Sequence, residues 1–243
     1  MNNCTGKNLM SKQYISPLIA IIGCDGAGKS TLTSELAQWL GEEKHPVGKV
    51  YLGLGSGDMG QKLKKLPLIG SHMNAIVSRK ASQARKKGET IPGPLTAFVI
   101  FVFSLKRYRS FRRMMKMRRE GVLVITDRYP QIEVPGFFDG PGLSSARAKG
   151  VFVRFLAAQE LKIYQKMADH VPDLVLRLNV DADTALVRKP DHEPGLVKEK
   201  AEIAPTLRLN GARIVDLDAV QNYRNVLISA QNAIANTLET YKI

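Results

Sequence analysis

The sequence predicts an α/β protein, a five-stranded parallel sheet flanked by helices in three layers. Three observations predict it. Five short apolar runs recur along the 243 residues, at 18–22, 50–52, 122–126, 174–180 and 213–219. Most are continuous rather than alternating, as strands covered on both faces are. Helical spacing follows several of them, which is the rhythm of strand–helix crossovers.

The first run, Leu18-Ile19-Ala20-Ile21-Ile22, leads into Gly23-Cys24-Asp25-Gly26-Ala27-Gly28-Lys29-Ser30. That stretch is a complete G-x-x-x-x-G-K-S match. Residues 31–40 then read as a helix, with Leu32, Leu36, Trp39 and Leu40 at helical spacing. Strand, glycine loop and helix in that order is the setting a phosphate-binding loop requires. Gly23, Gly26 and Gly28 lack a Cβ and let backbone amides close on a phosphate. With Asp25, Ala27 and Thr31, they make residues 23–31 the expected nucleotide-binding segment. Lys29 is expected on the β- and γ-phosphates of ATP, and the Ser30 hydroxyl on Mg²⁺.

The second strand is expected at 50–52, after a polar connection over 41–49. The glycine-rich stretch 53–57 follows it, either a substrate-phosphate loop or a plain flexible one. From Lys62 to Arg119 there are sixteen Lys and Arg against one acid, Glu89, which accounts for the net charge of +14. Such an excess points to an acidic partner: a phosphorylated substrate, a membrane surface or a nucleic acid. The apolar run 95–105 is too short for a bilayer, which takes about twenty residues. It is expected as a buried helix continuing into a basic end over 106–119. That end is read as a solvated face or as a peripheral membrane contact.

The third strand, 122–126, delivers Asp127-Arg128-Tyr129 to the edge that also carries the phosphate loop. Asp127 is therefore expected to face Lys29 and Ser30 and to serve the metal, with Arg128 gripping a phosphate. Residues 130–143 form a loop whose Phe137 and Phe138 either stack on a base or plug the core. Residues 147–168 read as a helix with Phe152, Phe155, Leu156, Leu161 and Tyr164 on its apolar side. After the fourth strand and a short helix at 183–187, residues 188–200 read as a charged, proline-punctuated lid. Arg188, Lys198 and Lys200 there are candidates to meet developing charge. The fifth strand and a helix over 222–240 complete one domain. Residues 1–16 read as a loose leader, 53–119 as a basic helical acceptor-side insertion.

Apolar content of 44% supports a folded core. Cys4 and Cys24 offer no disulfide framework, and Cys24 is expected as a small buried filler. No apolar signal core precedes the first strand, and a cytoplasmic location is expected.

These motifs together resemble the thymidylate kinase family of P-loop nucleoside monophosphate kinases. The residues that carry the resemblance are 23–31, Asp127-Arg128-Tyr129, Pro172-Asp173-Leu174 through Asp181, and Ala185 to Arg188. The resemblance implies a Mg·ATP-dependent transfer to a nucleoside monophosphate, dTMP. It implies that Asp25 meets the acceptor sugar, Arg128 the acceptor phosphate and Asp127 the metal. Because Gly26 and Ala27 leave no basic residue inside the loop, Arg188 of the lid is the expected catalytic arginine. A homodimer is implied as well. Two acceptor-side stretches differ from the family's pattern, Leu52-Gly53-Leu54-Gly55-Ser56 and residues 130–138. They leave room for a kinase acting on a phosphorylated sugar or lipid-linked acceptor. A nucleic-acid-binding ATPase ranks last, because no aromatic-interleaved basic sheet is present.

Overall fold

The computed structural model describes residues 15–53, 90–91, 93–144 and 147–241. The leader up to residue 14, the glycine stretch beyond Gly53 and the basic clusters at Lys62 to Lys65 and Arg85 to Lys87 lie outside them. Five strands are present: β1 Leu18–Gly23, β2 Val47–Tyr51, β3 Leu123–Asp127, β4 Leu174–Asn179 and β5 Ile214–Asp218. All pair in parallel, in the order β2-β3-β1-β4-β5. The longer helices are α1 Lys29–Glu42, α2 Pro94–Arg119, α3 Val151–Ala168 and α6 Tyr223–Tyr241; α4 Ala182–Arg188 and α5 Pro194–Ile203 join β4 to β5.

Strand position explains strand composition. β1 and β3 lie inside the sheet with helices on both faces, and every residue of each is buried. β2 and β5 are edges, and their burial is broken. This is why the second strand begins earlier than expected: Val47, Gly48 and Lys49 pair with β3 although their composition is not apolar. Full burial of a Leu or Ile side chain contributes about 1.5–3 kcal/mol. The inner strands concentrate that stabilisation under the loop they carry.

β1 is the switch point of the sheet. From it the chain crosses first to β2 and β3 on one side, later to β4 and β5 on the other. Ligands of open α/β sheets bind outside the strand ends at such a point. The glycine loop leaves β1 there, flanked by the exits of β3 and β4.

At the opposite edge Asp173 knots the fold together. It accepts from Leu18 N at 2.7 Å and from Arg118 Nη2 at 2.8 Å, and it also bonds the Tyr241 hydroxyl. Arg118 Nε donates to Ser16 O at 2.7 Å, so the chain is already fixed at Ser16, inside the expected leader.

Two expectations are corrected by the packing. The apolar start of α2 is buried on one side only, through Ala97 and Ile100, while Leu95, Phe98 and Val102 are exposed. On α3 the buried side is Val153, Leu156, Tyr164 and Met167; Phe152 and Phe155 face outward. Within the 188–200 stretch α5 occupies the residues from Pro194 on and buries Val197. No helix among the described residues is long and apolar enough to cross a membrane.

Candidate functional site

The loop holds its shape through backbone geometry. Gly26 sits at φ +88°, and a Cβ there would stand 2.7 Å from the Ala185 carbonyl oxygen. A side chain would be strained and would also push α4 away. Gly28, itself left-handed, caps α1 without any side-chain hydrogen bond, so the first-turn amides stay available to an anion.

Lys29 is buried and donates to Gly23 O at 2.9 Å and Cys24 O at 2.6 Å. Its burial, reinforced by the nearby Arg128 guanidinium, lowers its pKa to about 8. Cys24 lies beneath the loop as a buried free thiol, its pKa raised by burial.

Ser30 Oγ donates to Asp127 Oδ2 at 2.6 Å, so the residues expected at a metal meet across the site. Asp127 is 6% exposed and its Oδ1 is buried without a hydrogen-bond partner. An orphaned carboxylate oxygen beside a hydroxyl is oxygen-rich, and hard cations such as Mg²⁺ take oxygen ligands. The residues present fit that ion.

Arg128 follows β3 at φ +73°, a conformation costly for a side-chain-bearing residue. Its amide donates to Ile21 O at 2.9 Å, which fixes the turn. The turn aims the guanidinium at the loop, where Nη2 donates to Asp25 Oδ1 at 2.7 Å. Nη1 pairs with Asp139 Oδ2 at 3.4 Å. Asp139 in turn pairs with Arg107, whose side chain is fully buried and whose Nη1 donates to Asp139 O at 2.6 Å and to the Tyr164 hydroxyl at 2.9 Å. Lys200 of α5 reaches across and pairs with Asp25 from the other side. Burial alone would raise the Asp25 pKa, but Arg128 and Lys200 outweigh it and hold the carboxyl well below the usual range.

The loop carrying Asp139 is stapled from within. Gln131 Nε2 donates to the Val134, Phe137 and Phe138 carbonyls at 3.0, 2.8 and 3.1 Å. Phe138 is buried in the core, so it plugs rather than presents a stacking face. Glu160 of α3 accepts from Ser104 Oγ at 2.6 Å and from Leu143 N at 2.6 Å, tying the loop's end to α2 and α3.

Arg188 stands on the other side of the loop. Its Nη2 donates to Ala219 O at 2.9 Å and its Nη1 reaches Gly26 O at 3.5 Å. With Gly28, Thr31, Gln221 and Tyr223 it lines a cleft of about 220 Å³. A far smaller void of about 10 Å³ lies between Lys29 and Arg128, walled by Tyr129, Phe138, Asp139 and Leu207.

No family model matches the chain. It is 43% identical over 218 residues to the Uncharacterized ATP-binding protein YghS of Escherichia coli K12, covering 89% of this chain and 92% of that protein. The chain belongs to the YghS family. YghR of the same organism, carrying the same description, is 40% identical over 223 residues, 91% of this chain and 88% of its own. A Probable thymidylate kinase of Archaeoglobus fulgidus is 26% identical over 198 residues, 82% of this chain and 78% of that one. Among solved structures, deoxyadenosine kinase from M. mycoides with bound dATP superposes with a TM-score of 0.50 at 16% identity, covering 90% of this chain and 99% of that one. That likeness agrees with the strand order and loop: this member of the YghS family has the P-loop NTPase fold.

Asp25, Lys29, Ser30, Asp127 and Arg128, all candidates from the sequence, come together at one edge of the fold. Two participants were not legible as such, Arg107 and Asp139. Arg107 lies in a run of cations that reads as a solvated face. The only local signal for Asp139 is its place in a glycine- and phenylalanine-rich turn.

Proposed function

We propose that the protein is a Mg·ATP-dependent kinase that moves the γ-phosphoryl group to the phosphate of a small acceptor, a nucleoside monophosphate of the dTMP class. The observation that carries this reading is the pairing of Arg128 with Asp25 across the phosphate loop. It sets a cationic fork beside Lys29, apart from the cleft that Arg188 lines. A hydrolase or switch needs no fixed cation there, whereas a second phosphate does.

In this reading the cleft beside Arg188, Gln221 and Tyr223 takes the donor's base and sugar. The loop amides and Lys29 take its phosphates. Lys29 exchanges its two carbonyl partners for phosphate oxygens, which also restores its full charge. Ser30 and Asp127 would hold Mg²⁺, which when bound would neutralise charge on the phosphates. Arg128 holds the acceptor phosphate in line. Asp25, kept ionised by its cations, accepts a hydrogen bond from the acceptor. Lys200, delivered by α5 to the loop acid, takes the role expected of a lid cation at the transferring group, and Arg188 serves the donor side. Such transfer needs positioning and electrostatics and no nucleophilic side chain.

A second reading keeps the kinase and changes the acceptor to a compact phosphorylated sugar or the headgroup of a lipid-linked one. What favours it is that Phe138 of the 130–143 loop is buried in the core and offers no stacking face to a base.

The test is acceptor-dependent ADP release from Mg·ATP over a panel of nucleoside monophosphates and phosphorylated sugars, with Lys29→Ala as the blank. Turnover on a nucleotide that vanishes in the blank supports the first reading, and turnover on sugars alone supports the second. ATP binding without acceptor-dependent release anywhere on the panel would sink both.

A further inference from the structure

We propose that the paired helices α2 and α3 dock the protein on an anionic lipid surface, with their exposed phenylalanines entering the interface. Leu95, Phe98 and Val102 stand on α2, and Val151, Phe152 and Phe155 on α3, each between 45% and 78% exposed. They share one end of the helix pair, because Ala97 and Ile100 of α2 pack into one cluster with Val153 and Leu156 of α3. Six large apolar side chains at one end exceed the scattered exposure that needs no explanation.

Beyond Val102 the same outward stripe changes character. Continuing in steps of three and four from Leu95, Phe98 and Val102, it reaches Lys106, Arg109 and Arg113, with Arg112, Lys116 and Arg119 exposed beside it. α3 repeats the order, its exposed Lys162 and Lys166 following its apolar start. The two helices carry a single acid between them, Glu160, and it is buried.

Charge decides the occupant. A second copy meeting this face across a two-fold axis would bring two basic stripes together, and the acid at the end of α2, Glu120, already pairs with Lys116. A nucleic acid would match the cations and leave the phenylalanines in water. An apolar end beside a basic stripe is the composition of an interfacial membrane contact, apolar groups at the acyl boundary and cations on anionic headgroups. From its buried side α2 holds Arg107 to Asp139, so the docked helix also braces Arg128.

The test is co-sedimentation with phosphatidylglycerol-containing vesicles against pure phosphatidylcholine vesicles. The wild type is compared with a Phe98→Ser, Phe152→Ser, Phe155→Ser triple variant and an Arg109→Gln, Arg112→Gln, Arg113→Gln triple variant. Binding is expected only to the anionic vesicles, weakened by salt and reduced about tenfold or more in each variant. Circular dichroism serves as the folding control. Three results would overturn the proposal: no wild-type binding to anionic vesicles, binding indifferent to the phenylalanine variant, or a dimer in size exclusion that this variant converts to monomer. None of them depends on whether the chain transfers phosphate.

Discussion

The two sides of the phosphate loop are built by different means. On the donor side backbone does the work: glycine dihedrals, first-turn amides and carbonyls that hold Lys29 and Arg188. On the side proposed for the acceptor the parts are charged side chains drawn from four separate elements. Asp25, Arg107, Arg128, Asp139 and Lys200 form one chain of ion pairs. A backbone cradle recognises what triphosphates share, whereas a side-chain network is what a family can vary to change acceptor. In the proposed reading the donor follows from the loop, while the acceptor is set by the network.

If the acceptor side rests on compensated buried charge, removing one member should be the most damaging single change. Arg107→Ala leaves Asp139 without its fully buried partner, and a loss of about 3–5 kcal/mol in urea unfolding is expected. A loss under about 1 kcal/mol would show that the network is not what holds the 130–143 loop.

On the donor side the largest effect should come from backbone. Gly26→Ala forces a strained dihedral and a contact with Ala185 O, costing about 1–3 kcal/mol. Thermal unfolding should fall accordingly, and ATP affinity more steeply than stability.

The pH dependence of ATP binding separates the sides again. Lys29 carries a pKa of about 8 in the free protein, and a bound triphosphate favours its charged form. Affinity should therefore be flat below about pH 8 and fall about tenfold per unit above it, with proton uptake in calorimetry near pH 8. The sign for stability is opposite. Between pH 8 and the ordinary lysine value of about 10.4 the unfolded chain binds more protons, so the ligand-free fold gains stability as pH rises. Affinity that stays flat to pH 10 would contradict the assignment of Lys29 to the phosphates.

The smallest effect is expected at Arg188. Arg188→Gln should raise the KM for ATP by about threefold to tenfold, the loss of one or two hydrogen bonds, with the acceptor KM unchanged.

Legibility followed the same division. The donor loop is eight contiguous residues, and the inner strands announce themselves as apolar runs, so both could be read directly. Edge strand β2 reads too short in the sequence because Lys49 faces water and Gly48 is buried where a Cβ would collide with Met117. Arg107 and Asp139 are 32 residues apart, and Arg128 pairs with Asp25 across 103. No local pattern reports such pairings. The outward phenylalanines of α3 were misread for a related reason: an apolar residue at helical spacing signals a face, but not which neighbour covers it.

The most direct test of the account is the split between the two sides in Arg128→Gln. Calorimetric titration with Mg·ATP and steady-state acceptor kinetics would be measured on the same preparation. Mg·ATP affinity is expected within about twofold of wild type, while kcat/KM for the acceptor falls by about a hundredfold or more. A tenfold loss of Mg·ATP affinity with acceptor kinetics preserved would place Arg128 on the donor side and contradict the division drawn here.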